Sequence, residues 1–118
     1  MSDSQSAVTR PPAVAPGNVA VITGGASGIG LAVAEAMIAD GMSVVLADID
    51  APKLRDVGAR LSEDGASVAT MVCNTTAEAD VNALIEYAVE RFGGVHVMFN
   101  NAGIAGVGDA WTDPVDLW

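Results

Sequence analysis

The run Thr23-Gly24-Gly25-Ala26-Ser27-Gly28-Ile29-Gly30 places glycine at 24, 28 and 30 between an apolar stretch and a helical one. Glycines so placed permit a tight turn, approach of backbone to a pyrophosphate, and close packing of a helix on a strand. The helix N-terminus that follows offers free N–H groups and partial positive charge to an anion. The spacing is G-x-x-x-G-x-G rather than G-x-G-x-x-G, and no Lys follows as a P-loop requires. On its own the run also fits an ordinary tight strand-to-helix turn.

Asp48 closes the next apolar run, eighteen residues after Gly30. A carboxylate there can accept hydrogen bonds from the hydroxyls of an adenosine ribose. It fits equally well as a turn residue, whereas Asp50, ahead of Ala51-Pro52, reads as a helix cap. A third group, Asn100-Asn101-Ala102-Gly103, joins two amides to two small residues, a combination suited to hydrogen bonds between neighbouring loops and close backbone contact.

The elements that must position these groups alternate along the chain. Val19–Thr23, Ser43–Asp48, Ala66–Cys73 and Val95–Phe99 are short runs rich in β-branched and other apolar residues, read as strands. The first, second and fourth are almost continuously apolar, which predicts strands covered on both faces. Ile29–Asp40, Pro52–Glu63 and Ala77–Phe92 read as helices, the last with one apolar stripe of Val81, Leu84, Ile85, Ala88, Val89 and Phe92. This alternation predicts an α/β fold, the N-terminal part of a Rossmann-type doubly wound parallel sheet with about four strands and three helices. Ligands are expected at the carboxyl ends of the strands. Residues 1–18, rich in Ser, Ala and Pro without a period, read as a mobile arm before a domain spanning 19–118.

Composition narrows the function. Of 118 residues, 51% are hydrophobic, enough for one domain with a core, and fifteen acidic against five basic side chains give a net charge of −10. Coulomb repulsion argues against nucleic acid and anionic lipid as partners. The uncharged stretch from Pro11 to Ala34 is broken by three prolines and several glycines, so neither a signal peptide nor a membrane span is expected. The single cysteine, Cys73, cannot form an intramolecular disulfide, and a cytoplasmic location is the default expectation.

Taken together and in this order, the three groups resemble the short-chain dehydrogenase/reductase family, whose cofactor motif T-G-x-x-x-G-x-G matches Thr23 to Gly30 and whose N-N-A-G matches Asn100 to Gly103. The resemblance implies that Gly24, Ser27, Gly28, Ile29 and Gly30 form the dinucleotide turn and that Asp48 holds the adenosine ribose. It puts Asn100, Ala102 and Gly103 at the cofactor end of the sheet. It implies NAD as cofactor, an alcohol or carbonyl as substrate, and a homo-oligomer for the full-length family member. NAD is expected to be preferred over NADP, because Asp48 would face the extra phosphate. Two departures stand out: Asn74 replaces the family's usual Asp beside the adenine, its amide oxygen still able to accept a hydrogen bond, and His96 replaces an Asp near the start of the fourth strand. His96 lies at the wrong end of that strand for catalysis and reads as structural.

The family's chemistry, as the resemblance implies, needs a Ser and a Tyr followed four residues later by Lys. The only Tyr is Tyr87, its fourth following residue is Arg91, and the only Lys is Lys53, so no catalytic residue is assigned. Thr112-Asp113-Pro114-Val115-Asp116-Leu117-Trp118 has the cap, proline and acidic first turn of a helix start. It is read as a severed helix and the chain as an incomplete NAD-binding domain, inactive alone, with a non-catalytic dinucleotide-binding module or inert remnant as the alternative.

Overall fold

A computed structural model describes residues 12–101 of the chain. Four strands and three helices alternate: β1 (Val19–Thr23), α1 (Gly28–Ala39), β2 (Ser43–Asp48), α2 (Ala51–Glu63), β3 (Val68–Val72), α3 (Glu78–Phe92) and β4 (Val97–Asn100). All pair in parallel in the order β3-β2-β1-β4. The order reverses direction after β1, so the carboxyl ends of β1 and β4 flank a topological switch point. This is the Rossmann-like arrangement expected.

The alternation of side chains along each strand builds two cores. Ala20, Ile22, Val44 and Leu46 turn to the face covered by α1 and α2, where Ala34, Leu54, Val57 and Leu61 meet them. Val21, Val45, Ala47 and Ala69 turn to the other face, where α3 contributes Leu84 and Ala88. β1 is buried at every position and β2 at its four central ones, which explains their continuous apolar sequence.

β4 differs from the expectation of a strand covered on both faces. Val97 and Phe99 pack into the first core, but Met98, on the other face, is 39% exposed, where α3 packs chiefly over β1 and β2. The apolar stripe of α3 is likewise only partly used: Leu84 and Ala88 are buried, while Val89 is largely exposed. The third strand is shorter than its apolar run. Gly65 takes φ +89° after α2, and Ala66 N–H donates to Leu61 carbonyl, so Ala66 still belongs to the helix end. The expected arm of residues 1–18 is described only from Pro12, and Thr112–Trp118 lies outside the described residues.

His96 stands where a structural role predicts. Its backbone N–H donates to the Val19 carbonyl (2.8 Å), and its Nδ1 accepts from Val19 N–H (2.9 Å), pinning the starts of β1 and β4 together. Among the described residues, no helix is long and apolar enough to cross a membrane, and no group of three His, Cys, Asp or Glu could hold a metal ion.

Candidate nucleotide site

The carboxyl end of β1 opens into the glycine turn. Gly24 and Gly28 adopt φ +64° and +60°, values that side chains other than glycine's disfavour. A Cβ built on Gly28 would meet nothing within 4 Å, so this backbone faces open space. Gly30 is the opposite case: a Cβ there would overlap the Gly24 carbonyl and come within 2.9 Å of Asn101 Nδ2. Gly30 is therefore the contact at which α1 presses onto the turn, and Gly28 the place where the turn leaves room.

Ser27 occupies the N-cap position of α1 in extended conformation yet makes no side-chain capping bond, and the first turn contains no acidic residue. Most helices satisfy these leading N–H groups with a side chain. α2 does so, with Asp50 Oδ1 accepting from Lys53 N–H at 3.1 Å, as the sequence predicts for Asp50. The N-terminus of α1 thus points partial positive charge outward. Ile29, just inside it, is 68% exposed.

Asp48 reaches across from the end of β2. One carboxylate oxygen accepts from Ala26 N–H in the glycine turn (3.1 Å) and the other from Asp50 N–H (3.0 Å). The side chain joins the two loops that follow β1 and β2, and each oxygen keeps a lone pair for a further donor. A second link holds the β1 and β4 ends. Thr23, fully buried, donates through Oγ1 to Asn100 Oδ1 (3.0 Å) and accepts from Asn101 N–H (2.9 Å). Asn101 Nδ2 donates to the Gly24 carbonyl at 3.4 Å. The structure thus brings Gly24, Ser27, Gly28, Ile29, Gly30, Asp48 and Asn100 to one rim of the sheet. Ala102 and Gly103 lie outside the described residues.

Asn74 stands apart from this cluster in what it does. Its Oδ1 accepts from both Thr76 N–H (3.0 Å) and Thr76 Oγ1 (2.6 Å), while its backbone N–H donates to Asp80 Oδ2 (2.9 Å). Both lone pairs of the amide oxygen are engaged in shaping the turn into α3. Cys73, next to it, is buried, and its thiol pKa is raised by desolvation and then by the Asp80 carboxylate. The sequence singles out Asn101 only as a member of the Asn100–Gly103 group, with no role of its own, and does not single out Asp80. The two adjacent amides at 100 and 101 carried the signal for the first, and nothing local marked the second.

The family model for short chain dehydrogenase matches residues 18–117. An uncharacterized oxidoreductase of Mycobacterium bovis is 48% identical over 85 residues, covering 72% of this chain and 34% of the relative. Momilactone A synthase of Oryza sativa subsp. japonica is 48% identical over 90 residues, 76% of this chain and 32% of the relative. Among solved structures, a short chain dehydrogenase/reductase from Burkholderia phymatum in complex with NAD is 42% identical with a TM-score of 0.75, over 85% of this chain and 36% of that one. The chain spans about a third of the length of these relatives. The matched motifs, the parallel sheet and the glycine turn converge: this chain belongs to the short chain dehydrogenase family.

Proposed function

We propose that the chain binds NAD at the rim formed by the carboxyl ends of β1, β2 and β4, as the cofactor-binding portion of an oxidoreductase acting on an alcohol or carbonyl. The observation that carries this reading is the uncapped N-terminus of α1 beside the open backbone of Gly28, with the Asp48 carboxylate facing the same turn. The first supplies N–H donors and partial charge for a pyrophosphate, the second room for its approach, and the third acceptors for ribose hydroxyls. The NAD complex of the Burkholderia phymatum relative supports it.

In this reading Gly24, Ser27, Gly28, Ile29 and Gly30 surround the pyrophosphate, and Asp48 orients the adenosine ribose. Asn100 stands at the cofactor end of the sheet, tied to β1 through Thr23. Asn74 lies at the adenine end, and its amide oxygen accepts from the base by releasing the Thr76 hydroxyl. NAD, when bound, supplies the hydride acceptor. What these residues do is bind and orient it, since the chain contains no Tyr and Lys at the four-residue spacing used for acid/base chemistry.

The same carboxylate argues for NAD over NADP. No Lys or Arg occurs between Pro11 and Pro52, so nothing in the glycine turn or just after Asp48 offsets its charge. Two unit charges about 4 Å apart repel by roughly 4 kcal/mol at an effective dielectric of about 20, and a fraction of that, after screening by salt, decides the preference. Calorimetric titration of both nucleotides is expected to show tighter NAD binding, with Asp48→Ala narrowing the gap. Equal or tighter binding of NADP by the unaltered chain would remove this role from Asp48.

A further inference from the structure

The far side of the sheet carries a second feature, away from the nucleotide rim. β3 pairs with β2 only, and among the described residues no backbone segment pairs with its other edge. Val44 N–H donates to the Ser67 carbonyl and Cys73 N–H to the Asp48 carbonyl, which fixes the phase of the ladder. Odd-numbered residues of β3 therefore address β2, and Val68 and Thr70 turn their N–H and C=O groups outward. These groups form the floor of a groove of about 280 Å³. Its walls are helix ridges: Arg55, Ala59 and Ser62 of α2 on one face of the sheet, and Tyr87 and Arg91 of α3 on the other. Gly58 lets α2 come this close, since a Cβ there would lie 2.6 Å from Thr70 Cγ2.

The charge of the groove is the reverse of the molecule's. Among the described residues, the charged side chains that line it are two arginines, Arg55 and Arg91, and none is acidic. We propose that this edge is a docking site for an extended acidic polypeptide segment of a partner, which adds to the sheet as a strand beside β3. Outward N–H and C=O groups of Val68 and Thr70 supply the main-chain hydrogen bonds of strand addition. Successive side chains of an extended segment point to opposite faces, so two adjacent acidic residues meet Arg55 on one side and Arg91 on the other. The floor, Val68 to Thr70, spans roughly 10 Å at ~3.3 Å per residue, which suits a core of three or four residues. The groove starts at the amino end of β3, opposite the rim that carries Asp48, so occupancy does not compete with nucleotide.

The test uses the whole chain and a capped six-residue peptide with Glu-Glu at its centre, flanked by Val and Thr. Binding is expected to slow amide hydrogen exchange at Val68 and Thr70, to weaken with added salt, and to fall at least tenfold in an Arg55→Gln, Arg91→Gln variant. The same peptide with Lys-Lys at its centre is expected not to bind, a comparison that needs no variant to fold. Unchanged exchange at Val68 and Thr70, or equal binding of the Lys-Lys peptide, would overturn the proposal. Displacement of the peptide by free glutamate or inorganic phosphate at equal concentration would overturn it too, because the groove would then be a small-anion site.

Discussion

Thr23 shows how much of the rim depends on one hydroxyl. It is fully buried, it donates to the Asn100 side chain, and it accepts the Asn101 N–H that would otherwise lack that partner. Thr23→Val keeps the shape and removes the hydroxyl, and with it the bonds to the Asn100 side chain and from the Asn101 N–H, at a cost of about 0.5–1.5 kcal/mol for each. Thr23→Ser retains the hydroxyl and is expected to recover most of that in a denaturant titration. A valine variant as stable as the unaltered chain would show that the hydroxyl is dispensable. Gly30→Ala tests the neighbouring contact by steric overlap with the Gly24 carbonyl. It is expected to destabilise by about 1–3 kcal/mol through overpacking and to loosen the turn that the proposed pyrophosphate site uses. Gly28→Ala has open space and suffers instead from its positive φ, so its loss should appear in nucleotide binding as well as in the melt.

At the scale of elements, the turn from β3 into α3 sets a buried thiol near the carboxylate that accepts the Asn74 N–H. The folded pKa of Cys73 is raised by burial and by Asp80, so the protonated thiol is the form the fold favours. Its contribution to stability is therefore intact below the ordinary thiol value of about 8.5 and is lost as pH rises through the higher folded value. Melts run from pH 7 to 10 are expected to fall at the alkaline end, and Cys73→Ala should flatten that fall. The same protonation keeps the sulfur a poor nucleophile, so alkylation by iodoacetamide at pH 7.5 is expected to be slow in the native chain and fast in denaturant. Rapid native labelling would contradict the burial and the raised pKa together. The register of this turn was not legible locally. Asn74 looks like a free acceptor in sequence, and only the structure shows Thr76 occupying both lone pairs of its amide oxygen.

For the whole molecule, the distribution of groups along the proposed site makes its own prediction. The glycine turn and Asp48 address the pyrophosphate and the adenosine ribose, and no Tyr and Lys at catalytic spacing exist in these 118 residues for the nicotinamide end. ADP-ribose is therefore expected to bind about as tightly as NAD, within the roughly 1.4 kcal/mol that corresponds to tenfold. NAD binding more than tenfold tighter would reveal a nicotinamide pocket in this chain. For the same reason, NADH formation from a panel of secondary alcohols is expected to stay at background, and reproducible turnover by pure chain would refute the assignment of no catalytic residue.

The order of strands and helices, the glycine turn, the Asp50 cap and the family were all written into local sequence, because period, β-branching, proline and glycine act over a few residues. Thr23, Gly30, Asp48 and Asn100 could be named from their spacing. How they join could not. The bond from Ala26 N–H to Asp48 spans 22 positions, and those from Thr23 to Asn100 and Asn101 span 77 and 78. Such contacts exist only once parallel pairing has set the strand ends side by side. The same holds for exposure: β1 and β4 look alike in composition, yet one is buried throughout and the other alternates, because burial depends on which helix crosses which strand. The arginine-lined edge of β3 is likewise a product of packing, since Arg55 and Arg91 are far apart in the chain and share a groove only because α2 and α3 cover opposite faces of one sheet.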